Sequence, residues 1–162
     1  MSWLLLVYKI PSRPSRLRLQ VWRKLQRLGA LYLQDAVCAL PDQAELEENF
    51  HYLAQSIQEM GGQCFIFRAD TLSSKSQEQM LAGFEQQADE RLDEISQRLA
   101  QVDLADDPER AEESLKNERI AFLRANRLNY FGSNREKIVE AQLEELKEAL
   151  NRANHPQARS KS

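Results

Sequence analysis

Residues 3–10, Trp-Leu-Leu-Leu-Val-Tyr-Lys-Ile, form an almost unbroken apolar run that Pro11 closes. A run this short, rich in strand-favouring side chains and lacking alternation, reads as a central strand buried on both faces. The rest of the chain must therefore supply a layer on each side of it. The run is far too short to span a bilayer. Basic residues follow it rather than precede it, so it does not read as a signal peptide either.

The segments that follow have helix and strand periods in alternation. Pro11-Ser-Arg-Pro-Ser15 is a turn, with Ser12 or Ser15 placed to cap and Pro14 suited to a first helical turn. Leu17, Val21, Leu25 and Leu28 then recur at helical spacing, and Gly29 ends that helix. Leu31–Asp35 and Ala36–Leu40 read as two short strands joined by a tight turn or bulge. A second helix uses Leu46, Phe50, Leu53, Ile57 and Met60, and stops at Gly61-Gly62; Cys64–Ala69 is the last strand. The order β-α-β-β-α-β predicts a ferredoxin-like α+β domain over residues 1–70. Its two helices would cover one face of an antiparallel sheet, leaving the other face to be covered from elsewhere.

Beyond Asp70 the pattern is helical. Ser76 with Gln79 resembles a capping box, and Leu81, Phe84, Ala88, Leu92, Ile95, Leu99 and Val102 step by threes and fours. Asp107-Pro108 opens a second helix to about Tyr130, and Ser133 with Glu136 opens a third after Gly132. We expect residues 71–154 to form a segment of about three amphipathic helices and 155–162 a disordered basic tail. Such helices, each with one narrow apolar stripe, must pack on one another, on the sheet or on a second copy.

Charge is distributed unevenly. Lys9, Arg13, Arg16, Arg18, Arg23, Lys24 and Arg27 lie within residues 1–34, which contain no acid; the remainder has 15 basic against 25 acidic residues. On a wheel of about 100° per residue, Gln20, Arg23 and Arg27 fall within about 40° of Arg16, with Lys24 at about 80°. The apolar stripe occupies another sector, so the first helix presents a basic face. Arg13, Arg16, Arg23, Lys24 and Arg27 are the candidate site: guanidinium groups suit bidentate contact with phosphate or another oxyanion. The competing use is internal, with Glu85, Asp89, Glu90, Asp93 and Glu94, or Glu109, Glu112 and Glu113, as counter-charges.

Little else suggests chemistry. Cys38 and Cys64 lie in apolar contexts without zinc-site spacing and read as buried thiols, with a redox-sensing or oxyanion-sensing pair as the alternative. His51 and His155 are isolated, Trp22 reads as a core-edge residue with a partner contact as the alternative, and Trp3 and Tyr8 read as sheet residues rather than stacking platforms. There is no glycine-rich phosphate loop, no nucleophile elbow and no framed carboxylate pair. We expect no enzyme activity, no cofactor and no metal.

Several stretches carry a family resemblance: Trp-Leu-Leu-Leu-Val-Tyr-Lys-Ile-Pro (3–11), Pro-Ser-Arg (14–16), Val-Trp-Arg-Lys-Leu-Gln-Arg-Leu-Gly-Ala (21–30), Tyr-Leu-Gln-Asp (32–35) and Leu-Pro (40–41). Over residues 2–70 the chain resembles the amino-terminal domain of ChrB-type chromate-resistance regulators. The resemblance implies a bacterial, cytoplasmic, chromate-responsive protein that binds double-stranded DNA, here a short form without the family's carboxy-terminal domain. A more distant resemblance runs to the ferredoxin-like nucleases of CRISPR adaptation and to the central domain of PaaX-type repressors. In those nucleases a Tyr-Asp pair ends the first strand and binds metal, whereas here the pair is Tyr8-Lys9, and a lysine cannot ligate Mg²⁺. The expected partners are double-stranded DNA, an oxyanion such as chromate, and a second copy of the chain in a homodimer, with no membrane.

Overall fold

A computed structural model describes residues 1–155. Its elements follow the order β1 (Ser2–Lys9), α1 (Arg16–Leu28), β2 (Leu31–Gln34), β3 (Val37–Pro41), α2 (Ala44–Glu59), β4 (Gln63–Asp70), α3 (Ser74–Ala100), α4 (Pro108–Arg127) and α5 (Arg135–Asn154). The architecture is α+β, with a four-stranded antiparallel sheet in the order β2-β3-β1-β4. Two compact units divide between Phe84 and Glu85, inside α3. The tail expected at 155–162 lies, from 156 onward, outside the described residues.

β1 is central because it is apolar on both faces. Leu4 lies between Leu40 and Arg68, and Leu6 between Cys38 and Ile66; Leu4, Leu6, Cys38 and Leu40 are all buried. Val21 and Leu25 of α1, with Phe50, Leu53 and Ile57 of α2, add the helical half of this core. Met60, expected in the α2 stripe, instead caps that helix and is half-buried.

The other face of the sheet is met by the start of α3. Trp3 stacks on Phe84 with ring centroids 5.5 Å apart and planes 3° from parallel, and its Nε1 donates to Gln77 Oε1 at 2.9 Å. Gly83 allows the close approach: a Cβ added there would stand 2.8 Å from a Leu31 methyl. Helix α3 starts earlier than the Ser76–Gln79 pattern implied. Ser73 Oγ accepts from the Ser76 amide at 3.1 Å, so the cap belongs to the first serine of the cluster. Met80 rather than Leu81 begins the buried stripe.

Local corrections elsewhere have equally simple causes. Ser15 precedes α1 but makes no side-chain cap bond, whereas Gly29 takes the left-handed conformation (φ 71°) and Ala30 N–H reaches back to the Leu25 carbonyl. The β2–β3 hairpin is bulged between Tyr32 and Gln34, and its turn places Ala36 at φ 61°. Helix α4 ends at Arg127 instead of near Tyr130, and the Asn126 and Asn129 amides donate to Glu136 at the start of α5.

In the second unit Leu92, Ile95 and Leu99 of α3 pack with Phe122 and Ala125 of α4 and with Val139 and Leu143 of α5. Polar contacts brace this core. Arg135 pairs with Asp89 at 3.4 Å and Asp93 at 3.3 Å, and Arg98 reaches both carboxylate oxygens of Glu118 at 2.8 and 3.1 Å. Ser96 donates to Gln142 at 2.7 Å, and Asp107 caps α4.

Candidate functional site

Helix α1 presents three faces. Val21 and Leu25 are buried against the core, as the apolar stripe required. Arg16, Arg23, Lys24 and Arg27 are all exposed, and Arg13, just before the helix, is exposed as well. Arg16, Arg23, Lys24 and Arg27 thus lie on the exposed side of α1, with Arg13 in the turn before it. Lys24 Nζ donates to Ser56 Oγ of α2 at 3.4 Å, and that hydroxyl donates to the Tyr52 carbonyl at 3.2 Å.

No ion pair among the described residues includes a cation of α1. Of the acids that might have neutralised it, Asp89 and Asp93 are held by Arg135 within their own helical unit. Several guanidinium groups on adjoining turns therefore repel one another across water, and a polyanion would relieve that repulsion while releasing its own counterions.

The third face of α1 carries Trp22, for which a partner contact is the alternative reading. Trp22, expected at the edge of the core, is 49% exposed. On the wheel it lies about 120° from Arg16, on the flank that also holds Ser15, Arg18 and Leu19. That flank walls a cleft of about 760 Å³, whose other side is formed by the end of β1 and the β2–β3 turn. Tyr8 and Tyr32 meet in it, hydroxyl to hydroxyl, at 2.9 Å. An exposed tryptophan beside arginines was the available signal, but its proximity to Val21 favoured the core reading.

Burial raises the Tyr8 phenol, although the hydrogen bond with Tyr32 partly opposes this, and burial raises Tyr32 as well. Both rings are neutral at physiological pH. Burial also pushes the Cys38 thiol up to about 12 and Cys64 to about 11. Thiols this far from ionisation are poor nucleophiles and poor metal ligands. Their register separates them too: Cys38 lies opposite Leu6 and Cys64 opposite Tyr8, on the two sides of β1. Two strand spacings make about 10 Å, beyond disulfide reach. The two cysteines are therefore not placed to form a disulfide with each other. Asp35 lies on the β2–β3 turn and lines the cleft. Among the described residues, no group of three or more His, Cys, Asp or Glu side chains is placed to hold a metal, and no helix is long and apolar enough to cross a membrane.

The first unit is thus a small α+β unit, a four-stranded antiparallel sheet with an exposed cationic helix. The chain belongs to the family described as Protein ChrB, N-terminal, whose pattern matches residues 18–103, just over half of the 162. That match begins inside α1 and extends through α3, further along the chain than the resemblance over 2–70 suggested. No curated protein and no solved structure matches the chain.

Proposed function

We propose that the protein is a chromate-resistance-related regulator or accessory factor that binds double-stranded DNA through α1, acting by binding rather than catalysis. The observation that carries this reading is the exposed cationic face of α1, which no acid among the described residues pairs with. Arg13, Arg16, Arg23, Lys24 and Arg27 would contact phosphate oxygens, giving binding that depends on salt more than on base sequence. The element order and the strand order β2-β3-β1-β4 support a ferredoxin-like assignment for the sheet unit. Family membership supports the chromate-resistance setting.

Titration of a fluorescent duplex at two salt concentrations tests the reading. Affinity should fall steeply with salt. The Arg16→Ala/Arg23→Ala/Arg27→Ala variant should lower the salt slope by roughly three times 0.9. Absence of low-salt binding, or a variant that binds like the parent, would refute DNA contact through this face.

A further inference from the structure

The cleft beside α1 has a polarity that the cationic face does not explain. Lys9 and Arg18 line it and also line the adjoining depression at Gly61-Gly62, so they mark one end. Trp22, Tyr32 and Asp35 line it and also line the depression at Leu33-Gln34, so they mark the other. The Tyr8–Tyr32 hydroxyl pair also lines it. Neither Lys9 nor Arg18 enters an ion pair among the described residues, and both are exposed. The volume falls within the range of small-molecule sites, about 300–1,000 Å³.

Each end asks for a different group. Two cations at one end suit a dianionic phosphate. An exposed indole at the other offers a stacking face for a planar ring. The Asp35 carboxylate beside it only accepts hydrogen bonds, and so favours a ring edge with neighbouring N–H donors. Guanine, with its N1–H and 2-amino group, has such an edge; adenine has only its 6-amino group. The paired phenols, neutral and amphoteric in hydrogen bonding, suit sugar hydroxyls.

The geometry points to a nucleotide site: the cleft takes a purine nucleoside monophosphate, guanine preferred, with the base on Trp22 and Asp35 and the phosphate on Lys9 and Arg18. This site is separate from the DNA-contacting stripe and does not rest on it, since Lys9, Trp22 and Asp35 lie outside that stripe and Arg18 lies on the cleft flank of α1.

Calorimetric titration of the full chain with GMP tests it. Saturable binding is expected. Guanosine, which lacks the phosphate, should bind at least about tenfold more weakly, as should GMP to the Lys9→Ala/Arg18→Ala variant. Trp22→Ala should cost about tenfold, and Asp35→Asn should erase the preference for GMP over AMP. All four side chains are exposed, so circular dichroism of each variant should match the parent. The Arg16→Ala/Arg23→Ala/Arg27→Ala variant should bind GMP normally even though its DNA affinity is weakened. The site is disproved by the absence of saturable GMP binding, by unchanged affinity in the Lys9/Arg18 variant, or by inorganic phosphate binding as tightly as GMP. Loss of GMP binding in the triple-arginine variant would also overturn it, by placing the nucleotide on the stripe.

Discussion

Arg23 is exposed and Arg135 half-buried on helices of the same chain, and their surroundings differ. Arg135 starts α5 and is held by Asp89 and Asp93 of α3; Arg23 of α1 is in no ion pair among the described residues. In the second unit Arg98 joins two helices in the same way, through Glu118. In the first unit Arg68 pairs with Asp42 and Glu47, whereas no cation of α1 enters an ion pair among the described residues. Unpaired like charge on one helix costs stability in isolation and is suited to an external anion.

The sharpest way to break this contrast is to remove charge from each kind of site. Arg16→Ala/Arg23→Ala/Arg27→Ala should weaken duplex binding by about two orders of magnitude at low salt. Its melting temperature should hold or rise slightly, since self-repulsion is relieved. If thermal stability dropped instead with DNA behaviour unchanged, the arginines would be structural and the contrast would collapse.

A pH series addresses the sheet between the two helical layers. Cys38 and Cys64 are raised from an ordinary 9.0 to about 12 and about 11 by burial. Between the unfolded and folded values the unfolded chain has released protons that the folded one still holds, so stability falls as pH rises. Urea midpoints should therefore be flat from pH 6 to 8 and decline above about 9, and Cys38→Ala should flatten part of that decline. Iodoacetamide should label the native protein slowly at pH 8 and the unfolded protein quickly. Fast native labelling would show an ionised thiol and favour the sensing reading.

Gly29 gives a smaller effect, confined to α1. Its positive φ places it where an L side chain is crowded, so Gly29→Ala should cost about 1–2 kcal/mol in chemical denaturation. Duplex affinity should be nearly unchanged as long as the variant is folded.

How much of this was readable beforehand depended on whether a feature lies along one segment or between several. The apolar run at 3–8, the α1 stripe and the acid-free cluster of arginines are all local patterns, and periodicity alone placed them. The α3 start was harder because Ser73, Ser74 and Ser76 are near-equivalent caps in sequence, and only hydrogen-bond geometry distinguishes them. The cover of the second sheet face depended on Gly83, which reads as a weakness in a helix until Leu31 is seen against it. The cleft was invisible for the same reason: the end of β1, the flank of α1 and the bulged hairpin are separate in sequence, and Trp22 acquires its role only where they converge.

Arg135→Ala should have the smallest effect and completes the contrast. Both of its pairs are partly exposed and longer than 3.2 Å, which limits their worth to about 0.5–1 kcal/mol together. Removing the guanidinium also leaves Asp89 and Asp93, one helical turn apart on α3, as uncompensated like charges. Stability should fall modestly and recover in Arg135→Lys only in part, because a single ammonium cannot reach two carboxylates in the planar fork that arginine offers. Raising salt should shrink the difference between variant and parent, as expected for exposed pairs. Duplex affinity should not move. A measurable loss of DNA binding in Arg135→Ala would mean that a cation held in ion pairs also serves the ligand, and the contrast between Arg135 and Arg23 would fail.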